Sequence, residues 1–188
     1  MGRITQVGRP RARKARRAAR AAHWHCASAY PEQPQGDEQD ARGRASAAGH
    51  LVLVVDDEAP VRMICSFNLE AAGLEVIEAV DGDDALAAIR GHRPDLVLLD
   101  VMMPNRDGWA VATELQVDPR TRDIPIVFLT ARADDVDRQR AVQLGAVGYI
   151  TKPFDPIALA SRLETILERI ARGEREQLRE ELLRKRER

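Results

Sequence analysis

From residue 51 onward, short apolar runs alternate with stretches of helical spacing. Leu51-Val52-Leu53-Val54-Val55 is a continuous, β-branched-rich run, the pattern of a strand buried on both faces. Pro60 then marks a helix start, and Val61, Ile64, Cys65, Asn68, Leu69 and Ala72 follow at helical spacing until Gly73 ends the segment. The second unit is a strand from Leu74 to Ala79 and a helix from Gly82 through Ala85, Leu86 and Ile89 to Gly91. The third is Asp95-Leu96-Val97-Leu98-Leu99, a loop, and a helix from Gly108 to Val117. Ile126-Val127-Phe128-Leu129 with a helix from Asp134 to Leu144 forms the fourth unit, and Val147-Gly148-Tyr149-Ile150 with a helix from Pro156 to Ala171 the fifth. Five strands, each followed by a helix, predict an α/β fold with a parallel sheet covered on both faces. In such sheets functional groups gather beyond the carboxyl ends of the strands, at a switch in strand order.

The flanks differ in kind. Residues 1–24 hold eight basic residues and no acid, residues 25–50 have a net charge of −2, residues 51–172 of −8, and residues 173–188 of +1. The reading is an extension over 1–49, a folded domain over 50–172 and a charged helical tail over 173–188. The tail carries Leu178, Leu182 and Leu183 along one side, and either prolongs the last helix into a short coiled coil or forms a solvated helix. The acidic domain disfavours nucleic acid as its own ligand, because phosphate contacts need a positive surface. The basic arm can supply that surface, so nucleic acid is an alternative partner through residues 1–24 alone.

Composition narrows the class further. At 188 residues the chain has room for one ordinary domain with tails, and 44% hydrophobic residues suffice for a packed core. No apolar run reaches the roughly 18–20 residues of a membrane span. Two cysteines, Cys26 and Cys65, build no disulfide framework and fit a reducing, cytoplasmic setting. His23-Trp24-His25-Cys26 lacks the second ligand pair of a zinc site.

Chemistry concentrates at the strand ends. The first strand runs into Asp56, Asp57 and Glu58, the third into Asp100, the fourth into Thr130 and Ala131, and the fifth into Lys152-Pro153-Phe154. Two carboxylates about 4 Å apart repel by roughly 4 kcal/mol at an effective dielectric near 20, so three that converge call for a cation. All-oxygen ligation at a shallow site suits Mg²⁺, with Mn²⁺ as a substitute. A lysine ammonium and a threonine hydroxyl suit the oxygens of a phosphoryl group, towards which Asp100 can act as nucleophile. The chain has no Gly-x-x-x-x-Gly-Lys loop for nucleotide phosphates.

Four segments together resemble the receiver domain of two-component response regulators. They are Val54-Val55-Asp56-Asp57-Glu58; Leu98-Leu99-Asp100-Val101-Met102-Met103-Pro104 with Asp107-Gly108; Phe128-Leu129-Thr130-Ala131; and Tyr149-Ile150-Thr151-Lys152-Pro153-Phe154. The resemblance covers about residues 50–172 and implies a flavodoxin-like, doubly wound five-stranded sheet of order 2-1-3-4-5. It implies that Asp100 is the phosphoacceptor and that Asp56, Asp57, Asp100 and the Met102 backbone carbonyl hold the metal. It further implies that Thr130, Ala131 and Lys152 bind the phosphoryl group, that Thr130 and Tyr149 form the switch, and that Met102 and Arg132 tune the phosphoryl lifetime. Lys152-Pro153 is similar to the family's cis X-Pro bond.

The expected function is a stand-alone phosphorelay receiver, charged by a histidine kinase or histidine phosphotransferase. It would signal through a downstream protein or a phosphorylation-dependent homodimer on the face of the fourth helix, fifth strand and fifth helix. It is not expected to be an enzyme beyond its own phosphoryl transfer and autodephosphorylation. The alternative is a nucleic-acid-binding regulator that uses the basic arm, with the receiver as its switch. An aspartyl-phosphate hydrolase is disfavoured because no second general acid or cap is evident.

Overall fold

The computed structural model describes residues 49–131 and 135–184. Eleven elements alternate along them: β1 (Leu51–Val55), α1 (Ala59–Ala71), β2 (Glu75–Ala79), α2 (Gly82–His92), β3 (Leu96–Asp100), α3 (Gly108–Val117), β4 (Ile126–Thr130), α4 (Asp135–Gln143), β5 (Ala146–Thr151), α5 (Pro156–Ala171) and α6 (Arg175–Arg184). The strands form one parallel sheet in the order β2-β1-β3-β4-β5. The fold is the flavodoxin-like α/β arrangement that the sequence predicts.

Each central strand is apolar throughout because both of its faces are covered. Alternate side chains divide the core into two layers. Leu53, Val55, Val97, Leu99 and Phe128 pack with residues of α2 and α3. Val52, Val54, Leu96, Leu98, Val127 and Leu129 pack with residues of α1 and α5. The helices start where caps allow: Asp81, Asp107 and Asp155 each accept a backbone N–H from the first turn of α2, α3 and α5. Cys65 is buried in the second layer, and burial pushes its thiol up to about 12, which makes it a packing residue.

The tail departs from both expectations held for it. Residues 175–184 neither prolong α5 nor form a solvated helix. After α5 the chain reverses at Gly173, which adopts φ +79°, a left-handed conformation that side chains disfavour. Helix α6 then folds back and packs on β5, α4 and α5, with Leu178 and Leu182 buried.

Candidate functional site

Parallel pairing puts the ends of β1 and β3 side by side, with Val55 level with Leu99. Asp56 and Asp57 therefore emerge next to Asp100. The three carboxylates each offer an oxygen, and those oxygens lie within 4.8 Å of one another. Asp56 and Asp100 are buried, whereas Asp57 is exposed. Lys152, delivered by β5, spans the two buried acids. Its Nζ donates to Asp56 Oδ2 at 2.7 Å and to Asp100 Oδ2 at 3.0 Å, and lies 3.7 Å from Glu58 Oε1. A cis peptide bond joins Lys152 to Pro153.

Backbone groups complete the setting. The Glu58 N–H donates to Asp56 Oδ1 at 2.9 Å, and the Met102 N–H donates to Asp100 Oδ1 at 3.2 Å. Gly108 opens α3 against the acceptor loop, where a Cβ would stand 2.2 Å from the Asp100 carbonyl oxygen. Thr130 is buried at the end of β4, and its carbonyl accepts the Lys152 N–H at 2.7 Å. Ala131 and Met102 are exposed at the rim. Tyr149 is buried on β5, with the Arg138 guanidinium 6.0 Å from its ring centroid. Arg132, the basic arm and His23-Trp24-His25-Cys26 lie outside the described residues.

Electrostatics follow from four acids around one ammonium. Burial, with the Asp100 charge adding to it, raises the Asp56 carboxyl above the usual aspartate range despite the Lys152 hydrogen bond. Burial works against the Lys152 ammonium, yet its hydrogen bonds to Asp56 and Asp100 prevail and hold it above the ordinary lysine value. One lysine does not neutralise Asp56, Asp57, Glu58 and Asp100, so the donor set has the chemistry of a hard-cation site. Opposite oxygens in a Mg²⁺ shell are separated by about 4 Å, so a small closure of the three carboxylates would bring them into one shell. The exposure of Asp57 leaves room for the waters that such an ion retains.

One positioning residue carries no signal in the sequence. The Arg62 guanidinium donates from Nη1 to the Asp56 carbonyl at 2.7 Å and to the Asp57 carbonyl at 3.2 Å. Its Nε reaches Glu78 Oε2 at 3.3 Å, so Arg62 ties the acidic loop to β2. In the sequence Arg62 is an ordinary helix-surface arginine, because its targets are carbonyls that every residue has.

This geometry coincides with a family match: residues 52–164 fit the response regulator receiver domain. The chain belongs to the response regulator receiver family. The receiver is 43% identical over 128 residues to the phosphate regulon transcriptional regulatory protein PhoB of Pseudomonas aeruginosa, covering 68% of this chain and 56% of the relative. It is 44% identical over 119 residues to the probable transcriptional regulator ycf27 of Porphyridium aerugineum, covering 63% and 48%. The chain thus spans about half the length of these curated relatives. Among solved structures, the chemotaxis response regulator CheY4 of Vibrio cholerae is 34% identical with a TM-score of 0.60, over 63% of this chain and 99% of that one. A response regulator of Chloroflexus aurantiacus is 36% identical with a TM-score of 0.60, over 64% and 99%. Receiver domains of two-component systems bind Mg²⁺ through an acidic pocket and interact with histidine kinases and downstream effectors. No helix among the described residues is long and apolar enough to cross a membrane.

Proposed function

We propose that Asp100 accepts a phosphoryl group from a phosphohistidine of a histidine kinase or histidine phosphotransferase. A carboxylate oxygen of Asp100 forms a bond to phosphorus as the P–N bond to the donor imidazole breaks. The imidazole nitrogen leaves with the electron pair and a proton is taken up there. Hydrolysis reverses the state: water adds to phosphorus and inorganic phosphate departs from the carboxylate. The observation that carries this reading is the shared grip of Lys152 on Asp56 and Asp100, beside a third carboxylate within reach of one ion.

In this reading Asp56, Asp57 and Asp100, with the Met102 carbonyl, hold Mg²⁺. When bound, the ion supplies neutralisation of charge on the phosphoryl oxygens. Lys152 transfers its hydrogen bond from the free carboxylate to a phosphoryl oxygen. The Thr130 hydroxyl and the Ala131 N–H donate from the end of β4, while Met102 and Arg132 govern the access of water. Exposed Met63, Ile64 and Phe67 on α1, one to two turns beyond the acids, offer the donor an apolar landing surface. Catalysis is confined to the chain's own phosphoryl transfer and loss.

Incubation with acetyl phosphate and Mg²⁺ should add one phosphoryl group to the wild type, detected by intact mass. Chelation of the metal or Asp100→Asn should abolish it. Undiminished labelling of Asp100→Asn rejects the assignment.

The relatives' names as transcriptional regulators and the basic arm favour a second reading, in which residues 1–24 bind nucleic acid. Affinity for duplex DNA that falls steeply with salt and disappears on deletion of 1–24 supports it; absence of binding at low salt ends it.

A further inference from the structure

Helix α6 covers the face beside the edge strand β5 and joins both core layers there. Leu178 and Leu182 are four residues apart, hence on one side of the helix, and each retains only 6% exposure. Leu182 belongs to the layer that holds Ala141 of α4 and Ala146 and Tyr149 of β5. Leu178 belongs to the opposite layer, with Ile150 of β5 and Leu163, Ile166 and Leu167 of α5. Polar clamps fix the reversal. Arg169 on α5 grips both Glu181 carboxylate oxygens at 2.8 Å and Glu174 at 2.8 Å, and Arg175 donates to the Asp123 carbonyl.

The seat is nonetheless imperfect. Arg179 Nε is buried without a hydrogen-bond partner, an uncompensated N–H, although Nη1 of the same guanidinium donates to Glu176 at 2.8 Å. A solvent-open cleft of about 160 Å³ separates part of the two helices, lined by Asp135, Arg138 and Gln139 of α4 and by Leu183 of α6. Ten residues are too few to form a stable helix in isolation, so α6 exists as a helix because it is docked.

The same strand leads to the carboxylates. Residue Lys152 directly follows β5, its N–H is bonded to Thr130, and its ammonium is bonded to Asp100 Oδ2. The docked helix thus coexists with a lysine held by the free Asp100 carboxylate. Phosphorylating Asp100 to the acyl phosphate removes charge from that carboxylate and moves it outward onto the phosphoryl oxygens, so Lys152 must follow and draw on β5. Tyr149, three residues earlier, shares its core layer with Leu182.

We propose that α6 is a removable intramolecular cover of the α4–β5–α5 face, and that its docking and phosphorylation of Asp100 oppose each other. This rests on the reading of Asp100 as acceptor. Loss of α6 bares the apolar seats of Leu178 and Leu182, and that bared face is the signal. Linkage makes the opposition reciprocal: whatever loosens α6 tightens binding of the phosphoryl group.

Amide hydrogen exchange in the full chain, with and without beryllofluoride and Mg²⁺ as a phosphoryl mimic, tests it. The amides of 175–184 should exchange about 10-fold or more faster with the mimic, in the usual range of coupling between sites, and Asp100→Asn should show no change. Leu182→Asp should exchange fast in both states and bind beryllofluoride more tightly by the same factor, read by fluorine NMR. Glu181→Gln, which loosens the clamp and leaves the core intact, should fall between it and the wild type and serves if Leu182→Asp does not fold. Protection of α6 that stays constant while acetyl phosphate labels Asp100 overturns the cover and leaves the acceptor standing. Failure to label Asp100 in the wild type overturns the acceptor reading, and the coupling with it.

Discussion

Two strands border the sheet, and they solve the edge problem in opposite ways. In β2 only Ala79 is buried, and its glutamates point charge outward; Glu78 is held by Ser66 Oγ at 2.6 Å and by Arg62 at 3.3 Å. In β5 every residue from Ala146 to Ile150 is buried. An open edge invites pairing with another chain, and charge is one deterrent while a covering helix is another. The charged edge is permanent, since no equilibrium short of unfolding removes Glu75 and Glu78. The covered edge is conditional, since a helix can leave. Conditional burial is what a signalling face requires.

Stripping the cover should have the largest effect. Leu178→Asp places a carboxylate among Ile150, Leu163 and Ile166 and should lower stability by about 2–4 kcal/mol in urea unfolding. The denaturant slope should fall as well, because less surface remains to be exposed. A loss confined to a few tenths would mean that α6 contributes little to the covered edge.

On the other border the effect should be smaller. Glu78→Ala removes the partner of Ser66 and of Arg62, and should cost about 1 kcal/mol at that partly exposed site. Arg62 would lose its anchor to β2 while keeping the Asp56 and Asp57 carbonyls. Phosphorylation by acetyl phosphate should slow by a small factor and α6 exchange should not change. A change in α6 would show that the two borders communicate.

Acid should produce the smallest difference, and first on the β5 side. Hydrogen bonds from Arg169 hold the Glu181 carboxyl below its ordinary value, and hydrogen bonds from Arg169 and Arg172 do the same for Glu174. A depressed carboxylate contributes stability that is complete above the unfolded glutamate value of about 4.5 and is lost as pH falls through the folded value. Lowering the pH from 6 to about 3 should therefore reduce the protection factors of the α6 amides, taken against the unstructured rate at each pH, before those of β2. Glu181→Gln should remove the Glu181 share of that pH dependence and leave the share of Glu174.

The sheet was legible because its evidence is local. Continuous apolar runs identify buried strands, helical spacing identifies their covers, and strand ends identify where Asp56, Asp57, Asp100 and Lys152 must meet. The tail was not legible for the opposite reason. Leu178, Leu182 and Leu183 read as a stripe, but only the first two are buried, and Leu183 stays half exposed. The surface that selects them is assembled from α4, β5 and α5, which the stripe itself does not encode. Gly173 reads as an interruption, and nothing around it tells that the chain turns back there. Arg62 escapes notice because carbonyls leave no mark in a sequence.

The contact between Gly108 and the Asp100 carbonyl gives the acceptor a solid backstop. A Cβ on Gly108 would stand 2.2 Å from the Asp100 carbonyl oxygen, so β3 and the start of α3 are already in close contact and have little room to retreat when bulk is added in front of them. On the proposed phosphorylation of Asp100, recoil would be directed away from that wall, towards the strand tips that bring Thr130 and Lys152. The missing side chain of Gly108 thus fixes which side of the proposed acceptor can yield.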